Sequence, residues 1–168
     1  MSGEIPYEIQ CEIRFLNRDE WEEAMGLAWR TFLEFEGDVY PPEGVRSFED
    51  FITDPALNRM FVMGAYQVMA AYHEGKVVGI ISLRNDKHIS LLFVDRNYHR
   101  RGIGRALILA LAEYARKEMG QNMLTVNASP YGVEFYHRLG FKDLGSERQQ
   151  DGIIYTPMVL EFGDISGR

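Results

Sequence analysis

VDRNYHRRGIGRALILALAEYARKEMG, residues 94–120, joins the end of an apolar strand to a long helix through a basic loop and two glycines. Ile103, Leu107, Leu111 and Tyr114 recur at helical spacing and place one face of the helix on a sheet. Gly120 is a suitable residue to stop it. Gly102 and Gly104 open the helix, and a residue without a side chain lets a ligand approach the backbone. The first N–H groups of a helix lack intrahelical partners, and the helix dipole adds partial positive charge there. Arg100, Arg101 and Arg105 add formal charge at the same end, which makes a site for a pyrophosphate or similar polyanion. Two common phosphate motifs do not fit. No Gly-x-x-x-x-Gly-Lys-Ser/Thr run occurs, and GIGRAL (102–107) ends in Leu where a dinucleotide fingerprint needs Gly or Ala. An ordinary surface helix that starts with glycine has the same local spacing, so the glycines alone leave both readings open.

Upstream, residues 67–72, 77–83 and 88–94 read as a strand meander, with Glu74-Gly75 and Asn85-Asp86 as its turns. The run VVGIISL (77–83) is apolar enough to be buried on both faces. Downstream, 122–127 is the next strand, parallel to 88–94 through a right-handed crossover. Ser129-Pro130 then starts a helix that Gly140 stops. Two further strands, 142–148 and 153–162, are separated by Gln150-Asp151-Gly152, and 163–168 is a frayed tail.

At the other end, 1–8 is a loose end and 10–16 a first strand, with Ile9, Cys11, Ile13 and Phe15 alternating with polar residues. Asn17 and Glu20 form a capping box for a helix running to about Phe35, whose core face carries Trp21, Met25, Ala28, Phe32 and Phe35. EFEGDVYPPEG (34–44), rich in acids, glycine and proline, reads as a loop, either a solvated connector or a place for substrate contacts. A short helix over 47–54 is capped by Ser47 and ends before Pro55. Residues 56–66 fit either a helical turn or an extended lead-in. The sum is an α/β (α+β) chain with a mixed central sheet of about six to seven strands and about four helices. It reads as one domain over 1–168 with its core at about 10–162.

The composition, 46% hydrophobic and 26% charged, is that of a soluble globular protein. The net charge of −7 argues against nucleic-acid binding and suits an amine substrate. The single cysteine excludes an intramolecular disulfide, and Cys11 reads as a structural thiol in the first strand. There is no secretory signal pattern and no apolar run long enough for a membrane span, so a cytoplasmic protein with no membrane partner is expected. His73, His88, His99 and His137 show no metal-ligand spacing, and no metal is expected.

The strand ending LLFV, then RRGIGRA, then NASPYGVEFYHRLGF (127–141) together resemble the GNAT superfamily of acetyl-CoA-dependent N-acetyltransferases. The resemblance covers about residues 77–162. The family's acyl-CoA signature is Gln/Arg-x-x-Gly-x-Gly/Ala. Gly102 and Gly104 match it, and His99 departs from it at the first position. The resemblance implies the GNAT fold, with a splayed pair of parallel central strands and acetyl-CoA as co-substrate. Leu92, Phe93 and Val94 would then pair with the pantetheine arm, since diverging strands leave N–H and C=O groups to be satisfied. Arg100, Arg101, Gly102, Ile103, Gly104, Arg105 and Ala106 would hold the pyrophosphate.

Tyr136, in FYHRLGF, stands where the family places the general acid for the departing thiolate, or it packs against the pantetheine. Ser129 stands where many relatives carry an Asn that contacts the coenzyme, and Asn127 lies two residues earlier. The candidate base is His88 on the central strand, which also reads as a surface histidine at the strand's entry, with Glu34 and Glu36 as rivals acting through water. Glu34, Glu36 and Tyr40 are the candidate substrate contacts. The implied reaction is acetylation of a primary amine of a small molecule or peptide, by direct attack in a ternary complex. The alternative is a catalytically silent acyl-CoA sensor. A nucleotide- or RNA-binding domain built on the arginines is disfavoured by the net acidity. An uncovered C-terminal edge strand would allow a homodimer.

Overall fold

The structure is a computed structural model that describes residues 11–164. The expectations for 1–8, for Ile9 and Gln10 and for 165–168 lie outside the described residues. In chain order the strands are β1 (Glu12–Phe15), β2 (Gln67–His73), β3 (Lys76–Arg84), β4 (His88–Val94), β5 (Met123–Ala128), β6 (Lys142–Asp143), β7 (Arg148–Gln150) and β8 (Ile153–Glu161). The helices are α1 (Trp21–Glu36), α2 (Pro42–Thr53), α3 (Pro55–Val62), α4 (Ile103–Met119) and α5 (Val133–Leu139). The sheet runs β1-β2-β3-β4-β5-β8-β6, with β7 also paired to β8, and β4–β5 is its parallel pair.

The expected mixed α/β architecture is present, and the described residues form eight strands and five helices against about six to seven and about four expected. The extra strand arises because 142–148 divides into β6 and β7, and the extra helix is α3. Asp54 caps α3 by accepting from the Ala56 N–H at 2.9 Å, and Pro55 occupies its first turn. The helix expected from Ser129 starts later. Residues 129–132 form a turn closed by Gly132 N–H to Ser129 O at 2.9 Å, and α5 begins at Val133.

The largest correction falls on 34–44, which is not a loop. α1 runs on to Glu36, and α2 begins at Pro42 rather than Ser47, leaving only 37–41 as a connector. Proline at the first position of α2 starts that helix. Rings hold the two helices together: Phe32 stacks on Phe48 at 4.2 Å and meets the edge of Tyr40 at 5.2 Å. Ser47, inside α2, donates its hydroxyl to Asp151 O at 2.8 Å.

The sheet has apolar packing on both faces, as VVGIISL predicted; 77–83 is buried throughout. One face packs on α4 through Ile103, Leu107, Ile108 and Leu111. The other packs on α1 through Trp21, Met25, Leu27 and Ala28. The capping box is present, Glu20 Oε1 accepting from Asn17 N–H at 2.9 Å. Cys11 lies just before β1, half-buried against the α4 core, and its thiol is pushed up by burial.

α2 is clamped to the β7–β8 turn. A Cβ on Gly44 would meet the backbone of Gly152, and one on Gly152 would meet that of Gly44. Alanine in a helix interior gains about 1 kcal/mol over glycine. Overpacking against backbone that cannot rotate away costs about 1–3 kcal/mol and outweighs that gain. Gly44→Ala is therefore expected to lower the melting temperature by a few degrees in a thermal scan. An unchanged or raised melting temperature would mean that the β7–β8 turn can move aside for the added methyl group.

Candidate active site

The site begins where the parallel pair ends. β4 pairs with β5 only at His88↔Thr125 and Ile89↔Val126. Ser82 faces Leu91 and Leu83 faces Ile89, so Ser90 is an extra residue on β4, a bulge that bends the strand as it leaves β5. The bulge is pinned from below. The Tyr66 hydroxyl lies 2.7 Å from Ser82 Oγ and donates to Ser90 Oγ at 3.1 Å. Beyond Ile89 the strand keeps β3 on one side and, among the described residues, has no strand on the other.

A cleft of about 530 Å³ passes through this gap. From the α4 face it is lined by Leu92, Val94, Arg100, Gly102, Ile103, Gly104, Arg105, Asn127, Ser129 and Tyr136. From the α1 face it is lined by Thr31, Phe32, Phe35, Glu36, Tyr40, Phe48 and Phe93. Of the residues expected to meet the coenzyme, only Arg101 and Ala106 do not line it. Gly102 caps α4 with φ 80°, a left-handed conformation that suits glycine. The first intrahelical bond is Ala106 N–H to Gly102 O, so the N–H groups of Ile103, Gly104 and Arg105 have no acceptor within the helix. Gly104 has a second duty: a Cβ there would press on the Phe135 ring at 3.0 Å.

His99 explains its departure from the signature. Its Nε2 donates to Val94 O at 2.7 Å and its ring stacks on Phe35 at 4.8 Å, so it closes the end of the open β4 edge. A carbonyl only accepts, which fixes the proton on Nε2. Asp95, buried, accepts from Asn97 N–H at 2.9 Å and from Arg30 at 3.1 Å, and so holds the turn that leads into the basic loop.

The two expected bases are not in the cleft. His88 bonds Thr125 Oγ1 through Nδ1 at 2.8 Å, and burial with the nearby Arg84 charge pushes its pKa down to about 4. Glu34 lies in a separate surface hollow with Arg30 and Arg96. Glu36 is the carboxylate the structure brings in. It is 8% exposed, and its Oε1 is buried with no hydrogen-bond partner. Burial raises its pKa, opposed in part by the Ser129 and Tyr40 hydroxyls. Tyr40 is buried and donates to Ile154 O at 2.9 Å. Burial, reinforced by the Glu36 charge, pushes the Tyr136 phenol far above its ordinary value, so it stays protonated at any working pH. Thr31, whose Oγ1 is also buried and without a partner, is a lining residue that the sequence reading missed.

Chemically, a strand edge without a partner suits an extended amide-bearing chain, as an added strand would. The free N-terminus of α4 with Arg100 and Arg105 suits a polyphosphate. Both observations fit coenzyme A. Among the described residues no three His, Cys, Asp or Glu side chains cluster as a metal-binding set. None of the described helices is long and apolar enough to cross a membrane.

Comparison with known proteins agrees with this geometry. The N-acetyltransferase YafP of Escherichia coli K12 is 37% identical over 97 residues, 57% of this chain and 60% of that one. Glucosamine 6-phosphate N-acetyltransferase of Trypanosoma brucei brucei is 34% identical over 85 residues, 45% of this chain and 56% of that one. The chain thus spans less than two thirds of the length of these curated relatives. PaiA N-acetyltransferase of Thermoplasma acidophilum, solved in complex with coenzyme A, superposes with a TM-score of 0.74 at 21% identity, covering 91% of this chain and 99% of that one. The profile of the acetyltransferase (GNAT) domain matches residues 36–162, and the chain belongs to the GNAT acetyltransferase family.

Proposed function

We propose that this chain transfers the acetyl group of acetyl-CoA to a primary amine, by direct attack of the amine within a ternary complex. The observation that carries the proposal is the buried Glu36, its Oε1 without a hydrogen-bond partner, among the residues that line the same cleft as the open β4 edge, the α4 N-terminus and Tyr136. Acetyl-CoA supplies the activated acyl group as a thioester. The backbone of Leu92–Val94 orients its amide arm, and the N–H groups of Ile103–Arg105 with Arg100 and Arg105 hold its diphosphate. Glu36 replaces His88 and Glu34 as the candidate base: it receives the ammonium and takes a proton from it, so that the nitrogen lone pair is free. Attack of the nitrogen on the thioester carbonyl breaks the C–S bond; Tyr136 donates its phenolic hydrogen to the departing sulfur, and the second proton lost by the nitrogen restores the phenol. Cys11 does not line the cleft, which favours direct attack over an acyl-cysteine route. The name of the Trypanosoma relative, with an amine acceptor, supports the same class.

The test is release of free coenzyme thiol from acetyl-CoA in the presence of a panel of primary amines. Intersecting double-reciprocal lines are expected from a ternary complex, and parallel lines would reject it. Tyr136→Phe is expected to lower kcat about 100-fold while leaving the acetyl-CoA Kd unchanged. An unchanged kcat would reduce Tyr136 to a packing residue. A wild type that binds acetyl-CoA and acetylates no amine would leave the sensor reading in its place.

A further inference from the structure

The α1 face of the cleft has a chemistry that narrows the acceptor, an inference that rests on the acetyltransferase proposal above. Phe32, Phe35, Tyr40, Phe48 and Phe93 line it, four of them linked by ring contacts: Phe32 to Phe48, Phe32 to Tyr40 and Phe48 to Phe93. Glu36 is the carboxylate on this face, the other lining carboxylate, Glu134, being on α5, and among the described residues no Lys or Arg lines this face. The lining arginines, Arg100, Arg105 and Arg138, belong to the α4 and α5 side. Glu36 and Thr31 line this face, and their Oε1 and Oγ1 atoms, each shut off from solvent, lack hydrogen-bond partners, so a turn of either side chain would offer an acceptor a polar contact.

We infer that the acceptor is a small arylalkyl primary amine carrying one positive charge and no anionic group. One buried carboxylate matches one ammonium. A second ammonium, as in a polyamine, would be desolvated among rings with no partner, which is costly. A phosphate or carboxylate on the acceptor would meet rings and Glu36 rather than a cation, which is costlier still. An aromatic group fills the ring-lined wall and gains both burial and edge-to-face contact. An aliphatic chain gains the burial alone.

The test uses the protein saturated with coenzyme A, titrated calorimetrically with 2-phenylethylamine, n-butylamine, spermidine and glucosamine 6-phosphate. Binding is thus read without turnover. The expected order places 2-phenylethylamine first, about 10-fold tighter than n-butylamine. It should also be at least about 100-fold tighter than the polyamine or the sugar phosphate. Glu36→Gln is expected to weaken 2-phenylethylamine at least about 10-fold with acetyl-CoA affinity intact. Tighter binding of spermidine or of glucosamine 6-phosphate overturns the acceptor inference and leaves the acetyltransferase proposal standing, as does equal binding of butylamine. Coenzyme binding with no heat from any of the four amines also overturns it. Failure of coenzyme A itself to bind overturns both.

Discussion

Gly102→Glu is expected to abolish acetyl-CoA binding, with calorimetry showing a loss of at least about 100-fold against the wild type. A Cβ at this position meets no atom within 4 Å, so the side chain has room and the fold survives it. The backbone is left-handed, at φ 80°, which costs a non-glycine residue about 1–2 kcal/mol. The new carboxylate also sits at the α4 N-terminus, where the helix dipole favours a negative charge. It would therefore occupy the place proposed for the diphosphate. Gly102→Ala separates these effects, since it carries the strain without the charge and should retain most of the affinity. If Gly102→Glu still binds as the wild type does, the diphosphate lies elsewhere and the proposed coenzyme site fails.

The second large effect belongs to Glu36→Gln, expected to lower kcat/KM for the best amine by about 100- to 1000-fold. It should do so with a change in pH profile. Burial raises the Glu36 pKa above its ordinary 4.5, so wild-type activity should fall as pH drops through that raised value. The glutamine variant should lack this acid limb. The same shift has a consequence for stability. The folded state holds the proton to higher pH than the unfolded chain, so stability falls as pH rises from the unfolded to the folded pKa and stays lower above it. Glu36→Gln should therefore melt at a higher temperature than the wild type near about pH 7, and the gap should narrow toward about pH 4. An unchanged pH profile would remove Glu36 from the chemistry.

That Glu36 and not Glu34 faces the cleft is a matter of helical phase, and it shows where the sequence was hard to read. Ala28, Phe32 and Glu36 follow one another at four-residue steps, which puts them on one face of α1. Once 34–44 is taken for a loop, that phase is lost and the two acids look equivalent. The composition of the segment argued for a loop, but Pro41-Pro42 also fits a helix start. What decides between them is the contact of Phe32, Tyr40 and Phe48, which no local pattern reveals. The β4–β5 splay was likewise expected only from the family resemblance, whereas α4 and the β2–β4 meander were legible in the residues themselves. Their signals are local: turn residues at Glu74-Gly75 and Asn85-Asp86, apolar periodicity, and glycines at both ends of α4. His99 was legible only as a departure, because its partner is a backbone carbonyl whose position depends on the fold.

The gap between β4 and β5 also bears on how firmly the protein holds together. An unpaired strand edge inside a sheet is a stretch of ladder with half its rungs missing, and a bound amide chain supplies the missing half. On the proposed reading the ligand is part of the fold's cohesion, and the protein's thermal resistance becomes a function of coenzyme concentration, rising with its logarithm once the site is filled. The contribution comes from the arm and the diphosphate, which the spent coenzyme retains. A cell depleted of acetyl-CoA but rich in free coenzyme A would therefore keep the protein folded and hold it idle.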